Sequence, residues 1–174
     1  MFSRRQFLVA SGGLGVAALA VGVLPTFAGR CSFIGDFIGD ANAAEVFEVT
    51  HSDSEWRALL SDEQYEILRE EGTERAYSSA LNDEHRDGTF ACAGCDLALF
   101  SSATKFDSRT GWPSFWAPLE NAVGIRQDRS FGMVREEVHC RRCGGHLGHV
   151  FDDGPKPTGQ RYCMNGLAMK FTPA

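Results

Sequence analysis

Four cysteines of this 174-residue chain form two matched Cys-x-x-Cys pairs, Cys92-Ala-Gly-Cys95 and Cys140-Arg-Arg-Cys143, which are separated by 44 residues. Two such pairs can bring four thiolates together in a tetrahedron around one Zn²⁺. Sulfur would then fill every coordination position, so the zinc would be structural and could not bind a substrate. Each pair could instead be a redox-active dithiol or could oxidise to a disulfide. The presence of two matched pairs favours the metal site.

A further cysteine, Cys163, stands apart from these pairs in the segment Arg161-Tyr-Cys-Met-Asn165. Arg161 and Asn165 lie two residues before and after it, so in a β-strand all three side chains would point to one face. A cation beside a thiol favours the thiolate, which is the nucleophilic form of cysteine. A lone cysteine in an apolar strand can equally be a buried, unreactive side chain. The segment therefore predicts either a nucleophile or an inert thiol.

Two histidines, His146 and His149, lie three residues apart and have glycines around them. They could bind a metal, although the cysteines already complete one site, or they could be buried core histidines. The glycines predict a turn that presents both imidazoles, which suits acid–base catalysis or hydrogen bonding to a substrate. A separate segment, Gly111-Trp-Pro-Ser-Phe-Trp116, is dense in aromatic residues. We expect Phe115 to pack in the core and Trp112 to form a wall of a small apolar pocket.

The elements that must position these residues begin with helix signals in residues 44–86. Ser52-Asp-Ser-Glu55 and Ser61-Asp-Glu-Gln64 both match the capping box that begins a helix, and Gly72 is a suitable stop. Each helix should bury one apolar face in the core. These faces comprise Trp56, Leu59 and Leu60 in the first helix and Tyr65 and Leu68 in the second.

From Gly88 onward, short apolar runs are bounded by Gly, Asp and Pro, which is typical of antiparallel β-structure. The runs are Thr89–Phe90, Leu97–Phe100, Val123–Ile125, Phe131–Val138, His149–Phe151 and Arg161–Phe171. No repeat and no linker rich in Pro, Gly and Ser interrupts the chain after Ala44. The sequence therefore predicts one mainly β domain with a short N-terminal helical segment.

Residues 1–43 read as an export signal. Arg4-Arg5 precedes an uncharged stretch from Phe7 to Leu24, which resembles a bacterial twin-arginine signal, and Ala41-Asn42-Ala43 is the best cleavage site. Cleavage would leave a domain of residues 44–174 in the periplasm or outside the cell. The alternative is a retained membrane anchor, because the apolar stretch is nearly long enough to cross a bilayer. Since a twin-arginine signal implies export of a folded protein, zinc could bind beforehand in the reducing cytosol.

The composition excludes two broad classes of protein. Hydrophobic residues make up 43% and charged residues 23% of the chain, which are values of an average globular domain and not of a disordered one. The net charge of −6 gives no electrostatic basis for binding nucleic acid, which needs clustered Lys and Arg. We expect no nucleic-acid partner, contact with a membrane only through an uncleaved leader, and a monomer.

Five motifs together resemble the B-type methionine sulfoxide reductases. They are Gly-Trp-Pro-Ser-Phe, the two Cys-x-x-Cys pairs, His-Leu-Gly-His-Val-Phe and Arg-Tyr-Cys-x-Asn. The resemblance extends from about Trp56 to Phe171, nearly the whole chain after the leader. It implies two antiparallel sheets, a structural zinc ion, and reduction of the R epimer of methionine sulfoxide in proteins. The implied electron donor is a thioredoxin-like protein or a small thiol.

The resemblance also implies a role for individual residues. Cys163 matches the nucleophile that attacks the sulfoxide sulfur and becomes a sulfenic acid, with Arg161 beside it. Trp112 matches the indole that holds the terminal methyl group of the substrate. The sulfoxide oxygen leaves more readily when it is hydrogen-bonded or protonated. The residues that match its surroundings are His146, His149 and Asn165, with Asp153 in support.

One position departs from the family pattern, because many members have a resolving cysteine where this chain has Thr110. With four cysteines bound to zinc, Cys31 could resolve the sulfenic acid only if the leader is retained. Otherwise an external thiol must attack the sulfenic acid directly.

Two other functional classes compete with this hypothesis. A zinc-ribbon interaction module would explain the paired cysteines, but not Cys163 or the histidines. A disulfide oxidoreductase would use a Cys-x-x-Cys pair for redox chemistry and would show a titratable dithiol at Cys92 and Cys95.

Overall fold

The computed structural model describes residues 45–129 and 132–174. The predicted leader and Cys31 therefore lie outside the described residues. Within the described ranges, no helix is long and apolar enough to cross a membrane.

Two short helices open the described chain, α1 (Asp53–Leu59) and α2 (Asp62–Glu70). Both predicted capping boxes are confirmed, with Ser52 and Ser61 as the N-cap residues. The predicted stop at Gly72 is wrong by one residue, because Glu71 adopts the left-handed conformation that ends α2, at φ 58°. The prediction for Leu59 is also wrong: the helix ends there, and its side chain is 60% exposed. The other predicted apolar residues are buried, namely Trp56, Leu60, Tyr65 and Leu68.

In the part of the chain that the structure describes, nine strands form two antiparallel sheets, which confirms the predicted mainly β fold. A three-stranded sheet has the order β2-β1-β9, and a six-stranded sheet has the order β3-β4-β8-β7-β6-β5. The strands are β1 Gly88–Cys92, β2 Ala98–Ser101, β3 Lys105–Phe106, β4 Ser114–Phe115, β5 Val123–Asp128, β6 Arg135–Cys140, β7 His146–Phe151, β8 Arg161–Met164 and β9 Met169–Pro173.

The predicted strand Arg161–Phe171 is divided by a 3₁₀ turn, Gly166–Ala168, so that β8 and β9 belong to different sheets. The turn lies tightly against the loop before β1. A Cβ atom on Gly166 would lie 1.9 Å from Oγ of Ser79. Only glycine fits such a close approach without movement of the neighbour. The sheet that holds Cys163 is thereby joined directly to the smaller sheet.

Aromatic side chains fill the space between the two sheets. Phe90 of β1 and Phe100 of β2 both contact Phe115 of β4, with ring centroids 5.0 and 4.3 Å away. All three side chains are fully buried, which confirms Phe115 as a core residue. Each such pair contributes about 0.5–1.5 kcal/mol beyond the burial of its apolar area. The cluster holds β4, which flanks β8, against the smaller sheet.

Candidate active site and metal centre

One row of residues crosses the six-stranded sheet at Cys163. Going from β5 to β4, the directly opposite residues are Arg126, Glu137, His149, Cys163 and Ser114. Opposite residues on antiparallel strands project from the same face, with Cβ atoms about 4.5–5.5 Å apart. The register therefore places an imidazole directly beside the thiol, and a carboxylate directly behind the imidazole.

Gly148 allows β7 and β8 to approach each other at this row. Its φ is +156°, and a Cβ atom there would lie 2.1 Å from the main-chain oxygen of Cys163. No side chain fits in that space, so the pairing of His149 with Cys163 depends on this glycine.

A bulge in β7 brings both histidines to one face. His139 is opposite His146 and Val138 is opposite Gly148, so Leu147 is an extra residue in the ladder. In a strand without a bulge, residues three apart point to opposite faces. The imidazole centroids of His146 and His149 are instead 5.5 Å apart. The prediction of a turn around the histidines is therefore wrong. Both histidines lie in a strand, and a bulge in that strand, not a turn, presents both imidazoles on one face.

A cavity of about 150 Å³ opens beside the thiol. It brings together four of the predicted site residues, Cys163, His149, Asn165 and Trp112. A second cavity of about 110 Å³ adjoins it, shares His149 with it, and is lined by His146. The Nε2 atom of His146 is buried without a hydrogen-bond partner among the described residues. The structure thus places the two imidazoles in neighbouring compartments of one site.

Opposing effects act on the pKa of the Cys163 thiol. Burial raises its pKa above the ordinary value, and contacts with Thr110 and Arg161 offset this only in part. The predicted effect of Arg161 is therefore present, but desolvation outweighs it. The Oγ1 atom of Thr110 lies 3.8 Å from Sγ of Cys163. Cys163 is therefore a thiol that becomes a good nucleophile only when it loses its proton.

Asp153 is connected to this site by its hydrogen bonds with Arg161. Its carboxylate accepts two hydrogen bonds from the Arg161 guanidinium, at 2.8 and 2.9 Å. The guanidinium also lies over the ring of Phe151, 4.5 Å from the centroid. These contacts fix the cation on the thiol side of the sheet. The described contacts of Asp153 are thus with the arginine and not with the imidazoles.

Asn165 lines the cavity, but its side-chain amide is hydrogen-bonded to the main chain. Its Oδ1 accepts from the N–H of Glu74 at 3.0 Å, and its Nδ2 donates to the carbonyl of Leu147 at 3.1 Å. Asn165 is 3% exposed. The amide therefore has a fixed orientation before any substrate binds.

Each histidine has a carboxylate partner that the sequence analysis missed. Nδ1 of His146 lies 2.8 Å from Oε1 of Glu137, and Nε2 of His149 lies 2.9 Å from Oδ2 of Asp128. Arg126 also bonds Glu137. Burial lowers the pKa of His149 more than the bond to Asp128 raises it. The available signal was a pair of charges two residues apart in each segment, at 126 and 128 and at 135 and 137, which would share one strand face. Gln127 and Glu136 obscure this signal, because they make the other face polar as well.

The pKa of Glu137 predicts how the stability of the fold changes at acid pH. Burial alone would raise it, but hydrogen bonds from His146 and Arg126 prevail and lower it to about 2. A carboxyl with a depressed pKa stabilises the fold above its unfolded value of 4.5, and this contribution is lost as the pH falls from 4.5 towards 2. The free energy of unfolding, measured with urea between pH 7 and 3, should therefore fall more steeply for the wild type than for Glu137→Gln.

Glu84→Gln is the matched control for this measurement. The pKa of Glu84 is also lowered to about 2, chiefly by a hydrogen bond from Arg86. That partner is two residues away in the sequence and its side chain is 68% exposed, so the pair contributes little to folding. Equal pH slopes for wild type and Glu137→Gln would contradict the role given to Glu137.

The paired cysteines form a second site at the ends of β1 and β6. Both pairs make the same hairpin: the main-chain N–H of Asp96 bonds the carbonyl of Cys92, and that of Gly144 bonds the carbonyl of Cys140, at 2.9 and 2.8 Å. The residue that closes each hairpin is left-handed, with φ of 58° at Asp96 and 68° at Gly144. Two equivalent turns thus face each other.

The four sulfurs form one cluster and not two separate dithiols. All four lie within 4.8 Å of one another, and the short distances join different pairs: 3.7 Å for Cys92–Cys143 and 3.5 Å for Cys95–Cys140. A zinc–sulfur distance of about 2.3 Å gives a tetrahedron with an edge of about 3.8 Å. All the described cysteines are free thiols. The donor atoms and their spacing therefore fit a tetrahedral metal ion.

Comparisons with known proteins agree with this arrangement. The SelR domain family matches residues 60–173. A peptide methionine sulfoxide reductase MsrB from Leptospira interrogans is 52% identical over 126 residues, which are 72% of this chain and 96% of the relative. The protein of the same name from Thiobacillus denitrificans is 56% identical over 123 residues, which are 70% of this chain and 93% of the relative. The family match includes the cysteine cluster and the row through Cys163.

Proposed function

Since the chain belongs to the SelR-domain family of MsrB peptide methionine sulfoxide reductases, we propose that it reduces methionine-R-sulfoxide in exported proteins, with Cys163 as the nucleophile. The observation that carries this assignment is the position of Cys163. Among the described cysteines it alone lies outside the metal-site cluster, and it lines a cavity with His149 directly opposite.

In the proposed step the Cys163 sulfur attacks the sulfoxide sulfur and the sulfur–oxygen bond of the substrate breaks. This attack forms a sulfur–sulfur bond, and the oxygen leaves as water with the thiol proton and one further proton. Water then attacks the Cys163 sulfur and breaks the sulfur–sulfur bond, which releases a proton: the substrate sulfur, having gained two electrons, leaves as methionine, and Cys163, having lost two electrons, becomes a sulfenic acid. The proton of the thiol compensates for the charge that develops on oxygen. His149, next to the thiol, and His146, in the adjoining cavity, are placed to donate to that oxygen.

Trp112 and Asn165 complete the substrate site in this proposal. The indole of Trp112 lies in the loop before β4 and lines the cavity, where it offers an apolar surface for the terminal methyl group of methionine sulfoxide. Asn165, whose amide is held by hydrogen bonds to the main chain, lines the same cavity. All of these groups come from one chain, and we propose that the protein acts as a monomer.

We also propose that the four clustered cysteines hold a structural Zn²⁺. A zinc ion bound by four thiolates would join the end of β1 to the end of β6 and supply folding energy but no open coordination position. The residues around Cys163 carry out the chemistry without it.

The proposed place of action rests on the leader. Arg4-Arg5 and the apolar stretch that follows support export by the twin-arginine route, with cleavage after Ala43. The substrates would then be oxidised proteins in the periplasm or outside the cell.

Choice of epimer tests the function. The purified protein should reduce methionine-R-sulfoxide in a peptide and leave the S epimer, because one chiral site cannot place both epimers with oxygen towards the histidines and methyl towards Trp112. Chromatographic separation of the two epimers before and after reaction gives the result. Equal consumption of both epimers would contradict the proposal.

The route of reduction gives a second prediction. If the leader is cleaved after Ala43, no described cysteine outside the cluster remains to form a disulfide with Cys163. One turnover without reductant should leave a sulfenic acid, about 16 Da heavier than the thiol, detectable by mass spectrometry. Two equivalents of a thiol should then restore Cys163 and yield a disulfide and water. A Cys163–Cys31 disulfide in protein from its native compartment would overturn both the cleavage and this route.

A further inference from the structure

Glu74 is a buried acidic residue with no role in the chemistry described above. It lies in the loop after α2 and is 7% exposed. Acidic side chains are almost never fully buried unless a partner compensates the charge. Among the described residues, no Arg or Lys forms an ion pair with it. Its burial therefore calls for another explanation.

The carboxylate of Glu74 binds the main chain that follows the nucleophile strand. Its Oε1 accepts from the N–H of Gly166 at 2.7 Å, and its Oε2 accepts from the N–H of Leu167 at 2.9 Å. These two groups begin the 3₁₀ turn Gly166–Ala168, which ends β8. Hydrogen bonds from main-chain N–H groups to a carboxylate are charge-assisted and strong. The carboxylate therefore fixes residue 74 to the chain just beyond Cys163.

The main chain of Glu74 in turn binds two side chains of the substrate cavity. Its N–H donates to Oδ1 of Asn165 at 3.0 Å, and its carbonyl accepts from Nε1 of Trp112 at 3.1 Å. Trp112 and Asn165 belong to different segments, the loop before β4 and the end of β8. Both depend for their orientation on where the main chain of residue 74 lies.

We propose that Glu74 is a positioning residue, which holds Trp112 and Asn165 at fixed positions relative to the Cys163 thiol. This inference rests on the proposed function, in which Trp112 contacts the methyl group of the sulfoxide. Glu74 contacts neither substrate nor thiol. Its side chain fixes its own main chain, and its main chain fixes the two cavity side chains.

Glu74→Gln tests this role with little change of shape. The glutamine can accept from one N–H through its oxygen, but its NH₂ group faces the other N–H, so one hydrogen bond is lost. Loosening of Trp112 and Asn165 should lower kcat/KM for a peptide containing methionine-R-sulfoxide by about 10²-fold, the scale on which a displacement of about 1 Å acts. The loss should include a rise in KM, because Trp112 binds the substrate. Glu120→Gln removes the charge of an exposed glutamate and should leave both constants unchanged.

A double-mutant cycle separates positioning from general stability. Trp112→Phe keeps an aromatic ring but removes the indole N–H that binds the carbonyl of Glu74. If Glu74 acts through Trp112, Glu74→Gln should cost much less in kcat/KM in the Trp112→Phe background than in the wild type. Equal losses in the two backgrounds would overturn the proposal, as would a lower unfolding temperature with unchanged kinetic constants. Wild-type protein without activity on the R epimer would instead refute the proposed function itself.

Discussion

Replacement of Cys163 by serine should abolish turnover and leave the fold and the metal content intact. The hydroxyl is a far weaker nucleophile towards sulfur than a thiolate, and the described chain offers no other thiol in the cavity. We expect kcat to fall by at least about 10⁴-fold, the scale on which removal of a covalent nucleophile acts. Serine is only slightly smaller than cysteine, and Ser114 and Thr110 already place hydroxyl groups beside this position. The packing should therefore tolerate the substitution.

The measurement is single-turnover reduction of methionine-R-sulfoxide by the variant, together with its zinc content and thermal unfolding. A folded, zinc-containing Cys163→Ser protein without activity would support the assignment. Retained turnover would contradict it and would direct attention to the clustered cysteines.

Replacement of Cys140 by serine should have the opposite effects: the protein should lose its metal and its fold should be strongly destabilised. Cys140 ends β6, is fully buried, and lies 3.5 Å from the sulfur of Cys95 across the two hairpins. Structural zinc supplies free energy on the order of 10 kcal/mol to the folding of small zinc domains, which is comparable to the whole stability of a typical domain. The variant should therefore bind no stoichiometric zinc and unfold at a much lower temperature.

Cys163→Ser is the matched control for Cys140→Ser, because it also removes one thiol but lies outside the cluster. Zinc content by elemental analysis and circular dichroism on heating compare the two variants. A Cys140→Ser protein that is folded, free of zinc and fully active would show that the cluster has no structural role.

The sequence alone could predict those parts of the site whose members are close along the chain. The Cys-x-x-Cys spacing indicates a metal site without any knowledge of the fold, and the alternation of residues 161, 163 and 165 indicates a strand with one polar face. The structure confirms the two antiparallel sheets, the capping boxes and the core position of Phe115. The chemical role of Cys163 stays a prediction that the experiments above address.

The parts that could not be predicted depend on register between strands. Nothing local indicates that Glu137 lies opposite His149, or that His149 lies opposite Cys163, because cross-strand pairing joins residues far apart in the sequence. The break between β8 and β9 could not be predicted for the same reason. The run from Arg161 to Phe171 is continuous in its pattern, and the contacts of the 3₁₀ turn with Ser79 and Glu74 join residues far apart in the sequence. Glu74 gave no signal because the partners of its carboxylate are main-chain groups.

Because of the bulge at Leu147, the site depends on the number of residues between the two histidines and not only on which residues they are. In a regular strand, side chains alternate with a period of two, so two histidines three residues apart share a face only because one bulge lies between them. A change in length by one residue would keep both histidines on one face only if the bulge were lost as well. Substitution at position 147 leaves that count unchanged, whereas insertion or deletion does not. In this segment, substitutions should therefore be tolerated better than insertions or deletions. The spacing between the histidines is needed to form the site, as the histidines themselves are.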